Sequence, residues 1–212
     1  HLKNNAIIEQ YAGNMVRIDA DVLEGSWYRF SDNNRGTLRG AWPNSENAFD
    51  GFVKWSKISG RQKVRLDGDF IRIESFANDD EKMSAVSLPL MAGGPIAVTD
   101  MPTGDNLKFF QNAEILALQK DGFVGQPLTR NLWNADGQIW YGQMKDGSWV
   151  IGLFNREQAI TTRTLDLSRI GLTGNWNVRD LWKHTDEGVV NGKLEAQIPI
   201  HGCKIVKLTK SN

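Results

Sequence analysis

The spacing of apolar positions divides this chain near Pro127. Before that residue, short apolar runs alternate with stretches of helical period, the mark of β/α units. Residues 14–20 read as a strand, and residues 22–44 as a long loop holding Trp27, Tyr28, Gly36, Gly40 and Trp42. Loops of that length are usually functional or disordered. Residues 46–58 place Phe49, Phe52, Val53 and Ile58 at roughly helical spacing. Val64 to Ile73 reads as a second strand, interrupted by Asp67-Gly68-Asp69. Asn78 to Asp80 can cap a helix running through Ala92, which Pro89 should kink. Pro95 to Val98 reads as a short buried strand. Leu107 to Leu118, apolar at 107, 110, 115 and 118, reads as a further helix.

After Pro127 the helical period vanishes. Strands are expected at Gly137–Lys145, Ser148–Phe154, Ile160–Leu167, Trp176–Trp182, Gly192–Ile200 and Cys203–Leu208. Asp136-Gly137 and Asp146-Gly147 fit tight hairpin turns, because glycine and aspartate accept positive φ. Regular spacing with turn signals predicts an antiparallel sandwich. The expected organisation is therefore α/β over residues 1–127 and all-β over residues 128–212. Trp140, Trp149, Trp176 and Trp182 fall in strand patterns and are expected to fill the sandwich core.

Composition narrows the function. Lys plus Arg number 25 and Asp plus Glu 25, so no long-range field steers a polyanion, which argues against nucleic acid as a partner. No apolar run reaches the length of about 18 residues that would span a membrane. Cys203 is the single cysteine and cannot form an internal disulfide. His1, His184 and His201 are scattered, no zinc-ligand cluster stands out, and neither a metal nor another cofactor is expected. No signal peptide opens the chain, and the compartment stays open.

The densest chemistry lies in Asn14-Met15-Val16-Arg17-Ile18-Asp19-Ala20-Asp21-Val22. On a strand, Arg17, Asp19 and Asp21 share one face. A rigid strand end that aims charges into a cleft is how barrel enzymes present catalytic groups. A cation beside two carboxylates also separates their pKa values and so their acid and base roles. Plainer readings stand beside these: Asp21 as a turn cap, Arg17 as a structural ion-pair partner, Asp19 as the proton donor in place of Asp21. Asp67 reads as a turn or supporting residue. Trp27, Tyr28 and Trp42 can stack on a flat ligand face or pin the loop. Gly93-Gly94-Pro95 punctuates a loop and lacks the Lys-Ser/Thr of a phosphate cradle. Asp79-Asp80-Glu81-Lys82 reads as a solvated helix start favoured by the dipole.

Taken in order, these blocks resemble the second half of a glycoside hydrolase family 27 enzyme, the α-galactosidase type. Asn14 to Val22 resembles the sixth-strand motif N-x-W-R-x-x-x-D-I. Leu66-Asp67-Gly68-Asp69-Phe70-Ile71 resembles the seventh-strand N-D-P-D-M-L. Ser87 to Asp100 is similar to S-I-W-A-L-x-K-A-P-L-L-I-G-x-D, and Asn112 to Asp121 to N-x-E-V-I-A-V-N-Q-D. Gly147 to Arg156 and Val178 to Trp182 look like the family's sandwich.

The resemblance implies the C-terminal part of a (β/α)8 TIM barrel followed by an antiparallel β-sandwich. It implies a retaining hydrolase of α-linked sugars with two carboxyl groups about 5–5.5 Å apart. By position Asp21 matches the acid/base, Arg17 the arginine that holds substrate, and Asp69 an aspartate lining the sugar pocket. The family's nucleophile comes from earlier strands, to which nothing here corresponds. An upstream segment or second chain is therefore expected to complete the barrel, and the chain alone to lack hydrolase activity. Val16, Asp19, Gly68 and Phe70 depart from the motifs near the pocket, which makes an α-glucan-cleaving, isomaltodextranase-like relative the alternative to galactose. The rival from another class is a non-catalytic carbohydrate-binding module. Secretion or a periplasmic location follows only by analogy.

Overall fold

A computed structural model describes residues 9–11, 27–29, 42–59, 65–99, 101 and 103–211. Three short strands, β1 (Glu9–Tyr11), β2 (Trp27–Arg29) and β3 (Arg65–Asp67), pair in parallel in the order β1-β2-β3. Trp27 stands opposite Glu9 on one side and Arg65 on the other. Parallel neighbours need a long crossover, usually a helix. Between β2 and β3 that helix is α1 (Trp42–Trp55).

The strand expected over 14–20 lies outside the described residues. Trp27 and Tyr28, expected in a loop, instead sit in β2, as two aromatic residues with high β-propensity can. The strand expected over 64–73 is confined to β3; its continuation is a single parallel bridge from Ile71 to Val98. Pro95 to Val98 is thus no strand of its own, and Val98 is exposed.

Helix α2 (Asp79–Met91) starts where its cap predicts, with the Asn78 side chain accepting the Glu81 N–H at 2.9 Å. Pro89 lies in its last turn. Beyond it the N–H groups of Ala92, Gly93 and Gly94 close onto the carbonyls of Leu88, Leu90 and Pro89 at 3.0, 3.1 and 2.8 Å. The helix expected over 107–118 is two: α3 (Lys108–Gln111) and α4 (Ala113–Asp121). Asn112 breaks the run. Its side chain accepts the Glu114 and Ile115 N–H groups at 3.0 and 3.1 Å, while its amide donates to the Leu181 carbonyl at 2.9 Å.

The remainder is an antiparallel sandwich. The larger sheet contains β4 (Gln126–Pro127), β5 (Ile139–Gln143), β6 (Trp149–Phe154), β8 (Asn175–Asp180), β9 (Thr185–Asn191) and β11 (Cys203–Lys210), in the order β4-β5-β6-β11-β8-β9. The smaller pairs β7 (Thr161–Asp166) with β10 (Lys193–Ile198). Asp146-Gly147 makes the β5–β6 turn with Gly147 at φ 85°. Asp136-Gly137 is not a hairpin turn; it lies in a 3-10 turn at Ala135–Gln138 that leads into β5.

Alternation along the central strands gives the large sheet two buried faces. Ile151, Leu153, Val206 and Leu208 face the small sheet, with Leu165, Leu194 and Ile198 opposite. Trp140, Val150, Phe154 and Ile205 face the helices and share one core with Phe49, Phe52, Val86, Leu90 and Met91.

Candidate functional site

At the tip of β3 the chain turns through Asp67, Gly68 and Asp69. Asp67 is 1% exposed and Asp69 8%, so both carboxylates are drawn out of bulk water. Asp69 has φ 76°, a left-handed conformation that side chains other than Asn and Asp seldom adopt. Its N–H donates to Asp67 Oδ1 at 2.9 Å, so the first aspartate pins the second in that turn. Gly68 lies flat against α1: a Cβ there would sit 2.6 Å from Phe52 Cε2. The turn is therefore fixed from both sides, as a group that must meet a ligand in one geometry requires.

A cavity of about 30 Å3 adjoins the turn, lined by Phe52, Gly68, Asp69, Ile71 and Phe76 among others. That space fits a water molecule rather than a sugar ring. Arg17, Asp19 and Asp21 lie outside the described residues, so of the expected site residues the structure describes Asp69 alone. Trp42 is buried, and its ring stacks on His201 with centroids 4.4 Å apart. It pins α1 to the sandwich and is not open to a sugar face.

A second polar cluster had no signature in the sequence. Glu81, expected to be solvated, is 6% exposed. Its Oε1 lies 2.7 Å from His201 Nδ1, and its Oε2 accepts the Ala77 N–H at 2.9 Å. His201 has φ 57°, its Nε2 meets the Gln158 amide at 2.9 Å, and its carbonyl accepts the Ser84 hydroxyl at 2.7 Å. This knot ties α1 and α2 to the β10–β11 connection. On the other side of the junction Arg179 makes a bidentate pair with Glu114 at 2.7 and 2.8 Å. The Arg179 bond, with a smaller contribution from His184, holds the Glu114 carboxyl below its ordinary range. Burial pushes the Cys203 thiol up to about 12, which leaves it an inert core residue. Among the described residues no three His, Cys, Asp or Glu side chains converge as a metal site requires, and no helix is long and apolar enough to cross a membrane.

Residues 134–208 match the alpha galactosidase C-terminal beta sandwich domain. Isomalto-dextranase from Arthrobacter globiformis is 38% identical over 220 residues, 99% of this chain and 34% of the relative. The solved structure of that organism's T6 isomalto-dextranase, complexed with panose, superposes with a TM-score of 0.83 at 31% identity, covering 98% of this chain and 39% of its own. This chain belongs with the glycoside hydrolase family 27, α-galactosidase-like proteins. An α-galactosidase from Cyamopsis tetragonoloba is 33% identical over 123 residues, 57% of this chain and 29% of the relative. A family 27 β-L-arabinopyranosidase from Geobacillus stearothermophilus shares the fold, with a TM-score of 0.80 at 18% identity, covering 97% of this chain and 50% of its own. The chain spans about a third of the length of its curated relatives. For this family 27 chain, the parallel β/α layer and the antiparallel sandwich agree with the fold class expected from the sequence.

Proposed function

We propose that this chain forms part of a retaining α-glycosidase, in a two-part organisation of residues 1–127 and 128–212, and that its substrate is an α-glucan rather than a terminal galactoside. The observation that carries the reading is Asp69: a buried aspartate at a parallel strand's tip, held in left-handed backbone by Asp67 and by the close approach of Gly68 to Phe52. A carboxylate so fixed suits a sugar hydroxyl, since it only accepts hydrogen bonds and its orientation is set beforehand. The preference for α-glucan is supported by the 38% identity to isomalto-dextranase across 99% of this chain, against 33% over 57% for the Cyamopsis α-galactosidase and 24% over 82% for one from Emericella nidulans. Gly68 and Phe70, where the galactosidase motif has proline and methionine, are departures beside Asp69, and each altered apolar contact shifts discrimination by about 1–3 kcal/mol.

In this mechanism Asp21 protonates the departing glycosidic oxygen and then takes a proton from the attacking water. Arg17 supports the charge at the nucleophile, which lies outside this chain, and Asp69 orients the sugar. A segment carrying that nucleophile is required, so the chain by itself should not turn over an aryl α-glycoside. In the enzyme assembled with that segment, Asp21→Asn should lower turnover of an isomalto-oligosaccharide by about 10²–10⁴-fold. The first step on an aryl glycoside with a good leaving group, which needs little protonation, should lose far less. Equal losses on both substrates, or the same discriminating pattern from Asp19→Asn instead, would overturn the assignment.

A further inference from the structure

The two-stranded sheet cannot cover all of a six-stranded one, and its cover runs out toward the β4 edge. There Tyr141 of β5 and Trp149 of β6 take the same face as the sandwich core but are only half-buried, while Ile151, opposite Tyr141 in the register, is fully buried. Their rings lie 6.3 Å apart, centroid to centroid, and within 21° of parallel. Stacked in this way, the two half-buried rings make an aromatic wall at the edge of the sheet. It borders a groove of about 460 Å3 that also runs past Ser56, Lys57, Gln126 and Arg130.

The polar groups of this groove are held in place. Gln126 Nε2 donates to the Tyr141 hydroxyl at 2.8 Å, and Arg130 Nε donates to Ser56 Oγ at 2.8 Å. The first bond orients the phenol and leaves the Gln126 carbonyl as an acceptor. The second uses one of five guanidinium N–H groups. Among the described residues no carboxylate lines the groove. An aromatic wall with amide, hydroxyl and guanidinium groups beside it matches a pyranose, whose faces are apolar and whose edge bears hydroxyls that both donate and accept.

Position separates this groove from the candidate catalytic site. Strand β3 runs toward Asp69, and helices return antiparallel to the strands they follow. The residues after α1 that line the groove, Ser56, Lys57 and Ser59, therefore lie at the end of the β/α layer away from Asp69.

We infer that the Tyr141–Trp149 groove is a non-catalytic subsite for a neutral α-glucan chain, packed against the exposed part of this aromatic pair and held at its hydroxyls by Gln126 and Arg130. It would keep a polymeric substrate on the enzyme while a chain end reaches the catalytic site. The inference rests on the α-glucan reading above, yet its residues are separate from those of the catalytic proposal.

The test is a fluorescence and calorimetric titration of the 212-residue chain with isomaltotetraose. Saturable binding is expected, weakened at least about fivefold by Trp149→Ala and by Tyr141→Ala. Trp133→Ala, at an exposed tryptophan outside the groove, should leave it unchanged. If the aromatic variants fail to fold, Gln126→Ala and Arg130→Ala decide, with the same loss expected. About 0.5 M sodium chloride should not alter the affinity, because the ligand is uncharged. No saturable binding, binding lost with Asp69→Asn and kept in Trp149→Ala, or an affinity that collapses in salt as for an acidic peptide would each overturn the subsite. Loss of the discriminating effect of Asp21→Asn with groove binding intact would instead remove the catalytic reading alone.

Discussion

Asp69 holds a backbone conformation that costs an L-residue about 1–2 kcal/mol, so its neighbours must hold it there. Asp67 does so through a 2.9 Å bond to its N–H, and Gly68 does so by admitting the Phe52 ring where a Cβ would collide at 2.6 Å. Gly68→Ala should accordingly cost about 1–3 kcal/mol by overpacking, read as a lower denaturation midpoint with an unchanged slope. A neutral result would mean that α1 does not brace the turn. Part of this was legible beforehand: Asp67-Gly68-Asp69 interrupting an apolar strand marks a turn, and the family motif marks Asp69. The left-handed φ at Asp69 was not legible, because it depends on Phe52, distant in sequence. Glu81 is the opposite case. Among Asp79, Asp80 and Lys82 it looks like one more solvated charge, and only the fold brings His201 to within 2.7 Å of it.

At the level of elements, apolar period was a reliable guide where one face is buried and a poor one elsewhere. Strands β5, β6, β7, β8, β10 and β11 were found within a few residues because each buries apolar side chains, alternating in β7 and β8 and nearly continuous in β6, which is covered on both faces. Strand β9 was missed. Nearly all of Thr185 to Asn191 is exposed, and the stretch carries Asp186, Glu187 and Gly188, the polar composition that protects a sheet edge from further pairing. The run over 107–118 was read as one helix because its apolar spacing continues across the break. Asn112 stops it by offering its side chain to the first N–H groups of α4, a preference that competes with the helix interior. Asn112→Ala removes this cap and leaves the Leu181 carbonyl without its donor. The expected cost is about 1–3 kcal/mol by chemical denaturation. A variant as stable as the parent would show that α3 and α4 need no cap between them.

Across the molecule, the large sheet is the shared wall of two cores, one toward the helices and one toward the small sheet. Composition and patterning foretold two architectures in sequence order, but not that Trp140 and Phe154 of the sandwich would pack with Phe49 and Met91 of the helical layer. Such contacts join residues far apart in the chain and leave no local period. The sandwich thereby braces the parallel layer that presents Asp69, and on the inference above its Tyr141–Trp149 groove would offer a substrate chain a second hold. On this account the catalytic chemistry proceeds by two displacements at the anomeric carbon, with Asp21 as the acid and base of both. The most direct test is the anomeric form first released when the assembled enzyme hydrolyses an isomalto-oligosaccharide, followed by proton NMR before mutarotation. The account predicts that the α-anomer appears first and relaxes toward equilibrium. Initial appearance of the β-anomer would mean a single displacement, and would contradict it.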